Sequence, residues 1–275
     1  MWSICLYGYS QITYLGGSCE NVRPKFAKEV WVDTCIMECI YQHIAIDPEL
    51  NNQQKEEYCI LQIGKQFCKY GGYSKYQVDS VLNYIDKSKL TIKEYTELVA
   101  KLQFDYNLNY LLKDMSNGLY NVFDRVFSDR FVYNDSVNFN WSLTDSTTTI
   151  CGQKCYQATC KFRGRTWFAW FCDIPVATGP WKFCDLPGLI LKVEDSEREH
   201  TFCAINIRPA HTSITKETKK YTLTERNKFN KALSYYMNNS SKLVSNSNIV
   251  TPINRDGSTR TLPKRKRFFN PIEKE

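Results

Sequence analysis

The sequence has few of the features that mark common enzymes or membrane proteins. It has only 3 histidines in 275 residues, and no HExxH, nucleophile-elbow or glycine-rich phosphate-loop motif. No apolar run approaches the roughly 18 residues that a membrane helix needs, so we predict no membrane span. We also predict no catalytic residue and no cofactor, and we interpret His43, His200 and His211 as surface or core side chains.

Cysteine is frequent, but the usual zinc-binding spacing is missing. Although there are 12 cysteines, none forms a CxxC pair. In a strand over residues 155–160, Cys155 and Cys160 point to opposite faces, which argues against a shared metal site. We predict no metal, and the pattern leaves buried free thiols and one or two disulfides as alternatives.

The positive charge is confined to one part of the chain. Residues 201–275 hold 15 of the 36 Lys/Arg but only 5 of the 29 Asp/Glu, so the remainder is close to neutral. The run Lys264-Arg265-Lys266-Arg267 is followed by only two aromatic residues, Phe268 and Phe269, and therefore lacks a stacking array for nucleic acid. A solvated basic tail from about residue 240 is the favoured interpretation, and no nucleic-acid partner is predicted.

The N-terminal segment, residues 1–34, is atypical. Residues 1–19 carry no charged side chain, yet they lack the basic region that begins a signal peptide. Two interpretations remain, a degenerate export signal and an incorrectly assigned start at Met1, and we favour the second. Residues 35–275 are predicted to form a single domain.

Alternating patterns predict an antiparallel sheet. Residues 36–46 and 56–63 form β-rich runs joined by a polar loop. Apolar and polar residues alternate over 155–162, Arg163-Gly164 can make a tight turn, and Thr166–Phe171 is apolar on both faces. Two more strands are predicted at Leu189–Glu194 and Thr201–Ile207.

Two helices are predicted beside the sheet. Thr91 and Glu94 have capping-box spacing, and the apolar period continues to about residue 113. Thr222 and Glu225 repeat that spacing before Phe229, Leu233 and Tyr236, which share one helix face. The predicted fold is α+β, with a predominantly antiparallel, curved, half-barrel-like sheet and two covering helices.

A block at residues 162–191 resembles the signature of the GLPGLI family. The resemblance continues through Leu61–Lys65, Asp79-Ser80 and Asn270–Glu273, and so covers roughly residues 35–275. The signature residues are Arg163, Gly164, Arg165, Gly179, Pro180, Trp181, Lys182, Phe183, Leu186, Pro187, Gly188, Leu189 and Ile190. The resemblance implies an exported or envelope-associated protein of the kind found in Bacteroidota, in a family of unknown molecular function.

The chain departs from the family motif at Asp185, which replaces the first glycine. If the glycine serves a positive φ, Asp is a tolerable replacement, whereas close backbone packing there makes Asp disruptive. Cys155 matches a cysteine position common in the family and Cys184 stands just before the motif. The resemblance therefore suggests a Cys155–Cys184 disulfide.

The proline-rich and aromatic signature loop allows two interpretations. Its rings can plug one end of a curved sheet, or the loop can cover an apolar pocket in which Trp167, Trp170, Trp181 and Phe183 contact a ligand or partner. We predict a periplasmic or envelope binding or scaffold domain, with an apolar ligand such as an acyl chain or with outer-membrane envelope proteins as partners. The alternative is a hydrolase that uses Asp173, Asp185, Glu194 and Asp195.

Overall fold

A computed structural model describes residues 23–102, 109–245 and 267–274, without the side chains of 240–245. The segments 1–22 and 246–266, which include most of the predicted export signal and basic tail, lie outside the described residues. Helices occur at α1 (Tyr73–Leu82), α2 (Ile92–Lys101) and α3 (Arg226–Ser245). The strands are β1 (Glu29–Asp47), β2 (Gln53–Gly64), β3 (Phe67–Gly72), β4 (Tyr110–Asp114), β5 (Tyr120–Val126), β6 (Asp129–Asp135), β7 (Ser142–Ile150), β8 (Gln153–Phe162), β9 (Arg165–Cys172), β10 (Ile190–Asp195), β11 (His200–Pro209), β12 (Ser213–Glu217) and β13 (Thr222–Leu223).

The described strands form one open, largely antiparallel sheet. Their order is β13-β6-β5-β4-β3-β2-β1-β11-β10-β9-β8-β7, with β12 pairing the N-terminal part of β1. Only the short β13 runs parallel to its neighbour, β6. The predicted β-rich, antiparallel architecture is confirmed. β1 begins at Glu29, so the strand crosses the domain boundary predicted at residue 34.

The helices differ from the prediction in number and extent. There are three α-helices in the described part of the chain, not two. The missed helix, α1, buries only Ser74, Val78 and Leu82, and so presents a sparse apolar stripe. The capping box of Thr91 and Glu94 is present, but α2 ends at Lys101. The prediction of helix to residue 113 is wrong, because residues 110–114 form β4.

The start of the last helix was also predicted incorrectly. Thr222 lies in β13 and α3 begins at Arg226, so Thr222 does not cap the helix. The predicted helix face is nevertheless formed, with Phe229 packing its ring 5.4 Å from that of Tyr133. No helix in the described residues combines the length and apolar character needed to cross a membrane.

The signature loop, residues 173–189, is a rigid connection between β9 and β10. Leu189 N–H donates to the Ile174 carbonyl at 2.9 Å, and Ile190 N–H donates to the Thr178 carbonyl at 3.0 Å. A Cβ on Gly188 would lie 1.7 Å from the Cys172 carbonyl oxygen, which only glycine avoids. Asp185 has φ 70°, so its backbone is in the left-handed region.

The predicted tight turn between β8 and β9 is present. Arg163 and Gly164 have φ values of 44° and 79°, the two positive angles of a type I′ hairpin. This turn and the signature loop bring three signature cations, Arg163, Arg165 and Lys182, to the same end of the sheet, where they meet the C-terminal segment 267–274.

Candidate functional site

An open cleft of about 1320 Å³ lies along one face of the sheet. Its floor includes apolar side chains of the central strands, among them Leu111, Val122 and Phe202. Phe229 and Leu233 of α3 line it from above, and residues 267–274 form another side. A large concave surface with apolar walls and a few polar groups is the usual form of a ligand site.

Arg165 ties the C-terminal segment to the sheet. The side chain is 1% exposed and donates to the carboxylates of Asp195 and Glu199, the latter at 2.7 Å. Its remaining N–H groups donate to Asn270 Oδ1 at 2.6 Å and to the carbonyls of Pro271 and Ile272 at 3.0 and 3.1 Å. All five guanidinium N–H groups are therefore used, which fixes the segment along the cleft.

A second buried ion network holds the same segment further along. Lys182 Nζ lies 2.6 Å from both Asp135 Oδ2 and Glu273 Oε1. Arg163 binds Asp135 through two nitrogens, each at 2.7 Å, and Arg226 of α3 binds Glu273 at 2.7 Å. Burial raises the pKa of Asp135, but the hydrogen bonds from Arg163 and Lys182 outweigh it and bring the pKa below its usual value.

A row of polar side chains crosses three neighbouring strands on the cleft floor. Glu57 of β2 lies directly opposite His43 of β1, and His200 of β11 is the diagonal neighbour of His43. His43 Nδ1 lies 2.9 Å from Glu57 Oε1, and His43 Nε2 lies 3.2 Å from His200 Nδ1. The His43 ring also stacks on Phe202 with centroids 3.9 Å apart, so its orientation is fixed.

Burial and neighbouring charges set the protonation of this row. Burial raises the pKa of Glu57, but the hydrogen bond and charge of His43, with Lys55, outweigh it and lower the pKa to about 2. Burial, then the charges of His43 and Arg165, lower the pKa of His200 to about 3. Glu57 is therefore an anion and His200 a neutral imidazole throughout the physiological range.

Two buried polar atoms in the cleft lining have no hydrogen-bond partner among the described residues. They are His200 Nε2 and the Tyr70 hydroxyl, on side chains that belong to residues 1% and 8% exposed. Buried polar atoms are rarely left unpaired without a functional reason.

Asp124 supplies a proton-bearing carboxyl group on another part of the cleft wall. Burial raises its pKa to about 7, against the opposing effects of the Arg125 backbone N–H and the charges of Arg125 and Lys182. The Arg125 backbone N–H donates to Asp124 Oδ1 at 2.6 Å. A carboxyl group with a strongly raised pKa in a cleft is typical of functional sites.

The four aromatic residues predicted to contact a ligand occupy different environments. Trp181 lines the cleft and its ring lies 4.8 Å from Lys182 Nζ. Trp167 and Phe183 are fully buried in a core cluster, with ring centroids 4.8 Å apart. Trp170 is half-buried beneath Lys192 and does not line the cleft. The structure therefore brings only Trp181 to the cleft, and it places Trp167 and Phe183 in the core.

Three of the four carboxylates in the alternative hydrolase hypothesis are already engaged by other groups, and the fourth is exposed. Asp185 accepts the Phe139 N–H at 3.1 Å, Glu194 pairs with Lys192 at 2.9 Å, and Asp173 is exposed. Asp195 does converge with Glu197 and Glu199, and their oxygens lie within 4.8 Å of one another. Each of these carboxylates is already paired with Arg165 or Lys274.

The disulfide suggested for Cys155 and Cys184 is absent, since both are buried free thiols. Cys155 belongs to the core cluster under the central strands, whereas Cys184 belongs to the cluster under the signature loop. Burial raises the pKa of each thiol to about 11, which makes both poor nucleophiles. Cys155 of β8 is paired with Cys172 of the neighbouring strand β9, and Cys172 is also a free thiol.

Sequence reasoning missed Glu57, His43, His200, Tyr70 and Asp124. His43 and His200 are separated by 157 positions and meet only because β1 and β11 are neighbours. The one available signal was Glu57 and His43 in predicted adjacent strands, but their pairing depends on a register that the sequence did not fix.

Comparisons with known proteins give a distant likeness of fold. No protein-family model and no curated protein matches the sequence. Among solved structures, crystal structures of PNGF-II in space groups C2 and P21 match with a TM-score of 0.49 and 13% and 12% identity. Each match covers 75% of this chain and 34% of the solved chain, so the chain spans about a third of the length of those proteins. The likeness carries no argument about function.

Proposed function

We propose that the protein is a non-catalytic binding domain that holds an apolar ligand in the cleft. The observation that carries this proposal is the cleft itself, which is open, about 1320 Å³ in volume and lined by aliphatic and aromatic side chains together with polar and charged ones. Phe202, Phe229, Leu233 and Trp181 offer an apolar ligand contacts on opposite walls. The sheet would curve around the ligand in the manner of a half-barrel.

The family and location belong to the same proposal. We infer that the chain is a GLPGLI-family protein of the bacterial envelope, with the resemblance over residues 162–191 as support. The chemistry of the signature agrees with a structural role for those residues. Gly188 fits against the Cys172 carbonyl, and Arg163, Arg165 and Lys182 hold the C-terminal segment that walls the cleft. Outer-membrane envelope proteins remain proposed partners.

The binding proposal is tested with N-phenyl-1-naphthylamine, a neutral apolar probe whose fluorescence rises in apolar surroundings. We expect saturable binding to the purified chain. Leu233→Trp adds a large ring to the half-buried α3 wall of the cleft. Overfilling an apolar site costs about 1–3 kcal/mol, so probe affinity falls by about fivefold to 150-fold.

The matched control is Leu143→Trp, which adds the same ring to β7 at a side chain that is 66% exposed and lies outside the cleft. This variant keeps the affinity of the unmodified protein. Absence of saturable binding, or equal affinities in the two variants, overturns the proposal.

A further inference from the structure

Asp124 differs from the other acidic residues of the cleft in its lack of a cationic partner. Three acidic side chains line the cleft in the described part of the chain, namely Glu57, Asp124 and Glu273. Glu57 pairs with Lys55 at 3.1 Å, and Glu273 pairs with Lys182 at 2.6 Å. Asp124 forms no salt bridge with any described residue. Carboxylates removed from water are normally paired, so this one is short of a counter-ion.

The Asp124 carboxyl group faces the cleft with one oxygen available. Successive side chains of a strand point to opposite faces, so Asp124 shares the face of Val122, which lines the cleft, and not that of Phe123. The Arg125 backbone N–H occupies only Oδ1. Within the described ranges no group donates to Oδ2, and this atom is not one of the buried polar atoms without a partner. Oδ2 of this half-buried side chain is therefore open to the cleft.

Aromatic rings lie beside this carboxyl group. Phe131 of β6 is paired directly with Asp124 across the two strands. The ring of Phe229 on α3 lies 5.9 Å from that of Phe131 and 5.4 Å from that of Tyr133, measured between centroids. The faces of aromatic rings attract cations and repel anions. A carboxylate next to such rings favours a positively charged group on the ligand.

The charges around Asp124 do not replace the missing partner. Burial raises the pKa of Asp124 to about 7 and outweighs the opposing charges of Arg125 on the same strand and Lys182 of the signature loop. Burial also raises the pKa of Tyr133 on β6 well above its usual value, so its hydroxyl group is neutral, and Phe229 of α3 carries no charge. Below about pH 7 a proton therefore takes the place of a counter-ion on Asp124.

We propose that the Asp124 carboxylate binds the protonated amine of an amphiphilic ligand, an alkylamine in chemical class, whose apolar chain lies in the cleft. The ammonium N–H donates to Asp124 Oδ2, and the positive charge lies against the rings of Phe131 and Phe229. Below about pH 7, binding of the ammonium ion releases the carboxyl proton to water, so that an ion pair replaces a neutral acid. This inference rests on the proposed function, because it names the ligand of the same cleft.

The test is displacement of bound N-phenyl-1-naphthylamine by decylamine, 1-decanol and decanoate at about pH 8. At this pH the alkylamine is protonated and Asp124 is ionised. The three probes share one chain length and differ only in the head group. Charge-assisted hydrogen bonds are stronger than neutral ones, so decylamine displaces the dye at a concentration at least about tenfold below that of decanol. Decanoate, which the carboxylate repels, is the weakest of the three.

Asp124→Asn removes the charge and keeps the shape of the side chain. The preference for decylamine over decanol then falls to near unity, while the naphthylamine dye still binds. Asp145→Asn is the matched control, because Asp145 is exposed on β7 and lies outside the cleft lining. It keeps the full preference. Equal displacement by decylamine and decanol in the unmodified protein, or an unchanged preference in the Asp124 variant, overturns the inference and leaves the apolar cleft intact.

A proton count on the unmodified protein requires no variant. Isothermal titration calorimetry in two buffers of different ionisation enthalpy measures the protons released on binding. We expect about one proton released per decylamine at about pH 6, below the pKa of about 7 of Asp124, and almost none at about pH 8. Decanol releases none at either pH. Binding of decylamine without proton release at the lower pH overturns the inference. Failure of the naphthylamine dye to bind at all overturns the proposed function instead.

Discussion

At the scale of single residues, Asp185 combines a left-handed backbone conformation with a side-chain hydrogen bond. Its φ of 70° lies in the left-handed region, where Asp is less strained than most residues. Asp185 Oδ2 also accepts the Phe139 N–H at 3.1 Å, a bond that glycine cannot make. Asp185 thus occupies a left-handed position, whereas close backbone packing is the role of Gly188.

Substitution of Asp185 separates these two contributions. Asp185→Asn keeps a residue that tolerates positive φ and keeps an oxygen acceptor, so we expect nearly unchanged stability. Asp185→Ala loses both and costs about 1–2 kcal/mol of unfolding free energy. Urea denaturation measures the difference, with Asp173→Ala, exposed in the same loop, as the control. Equal stabilities for the Ala and Asn variants contradict this account.

At the scale of elements, β9 stabilises a segment that has no regular structure of its own. Residues 267–274 make no strand or helix, and their position depends on side-chain contacts to Arg165, Lys182 and Arg163. Phe269 N–H and the Asn270 side chain add bonds to Asp47 Oδ2 and the Ile46 carbonyl at the end of β1. The signature cations thus link distant parts of the chain.

Arg165→Met tests how strongly the segment depends on this link. The change leaves Asp195 and Glu199 without their common cation, and removing one partner of a buried ion pair costs about 3–5 kcal/mol. We expect that loss in urea denaturation, together with faster amide hydrogen exchange at residues 267–274. Lys161→Met, on the exposed face of the neighbouring β8, leaves both measurements unchanged. Exchange that is equally slow in the Arg165 variant contradicts the proposed anchoring.

The sequence predicted the bounds of β8, β9 and β10 closely, whereas β4 was missed. The alternation at 155–162 predicted β8 with the correct bounds to within a few residues. In β4, however, Leu111 packs in one core cluster and Tyr110 and Leu112 in another on the opposite face. A strand that is buried on both faces shows no alternation of apolar and polar residues. The residues of β4 were therefore predicted to continue the helix α2.

At the scale of the whole molecule, the polar row exists only in the folded sheet. Glu57, His43 and His200 come from β2, β1 and β11, which are neighbours in the sheet, although β11 lies far from β1 and β2 in sequence. A sequence indicates which residues alternate, but not which strands become neighbours or in which register. The tight turn at Arg163-Gly164, by contrast, was predictable, because a turn depends on residues that are adjacent in sequence.

Two groups that line the cleft give opposite contributions to the pH dependence of stability. The pKa of Asp124 is raised from 3.8 to about 7, so between these values the folded state keeps a proton that the unfolded state has lost. Stability therefore falls as pH rises. The pKa of His200 is lowered from 6.5 to about 3, so in that interval the unfolded state binds the extra proton, and stability rises with pH.

Asp124→Asn removes one of these opposing contributions without a large change of shape. Between about pH 5 and 6.5, above the normal titration of carboxylates, the rise due to His200 is then uncompensated. We expect the unfolding free energy of the variant to increase more steeply with pH than that of the unmodified protein. The difference in unfolding free energy between the variant and the unmodified protein grows until about pH 7, where Asp124 becomes ionised in the folded state as well. Above that pH the difference is constant.

Urea denaturation at several pH values measures the unfolding free energy of both proteins. Asp145→Asn, an exposed change on β7, should leave the profile unaltered. Parallel profiles for Asp124→Asn and the unmodified protein would show that the Asp124 carboxyl is not held neutral by the cleft.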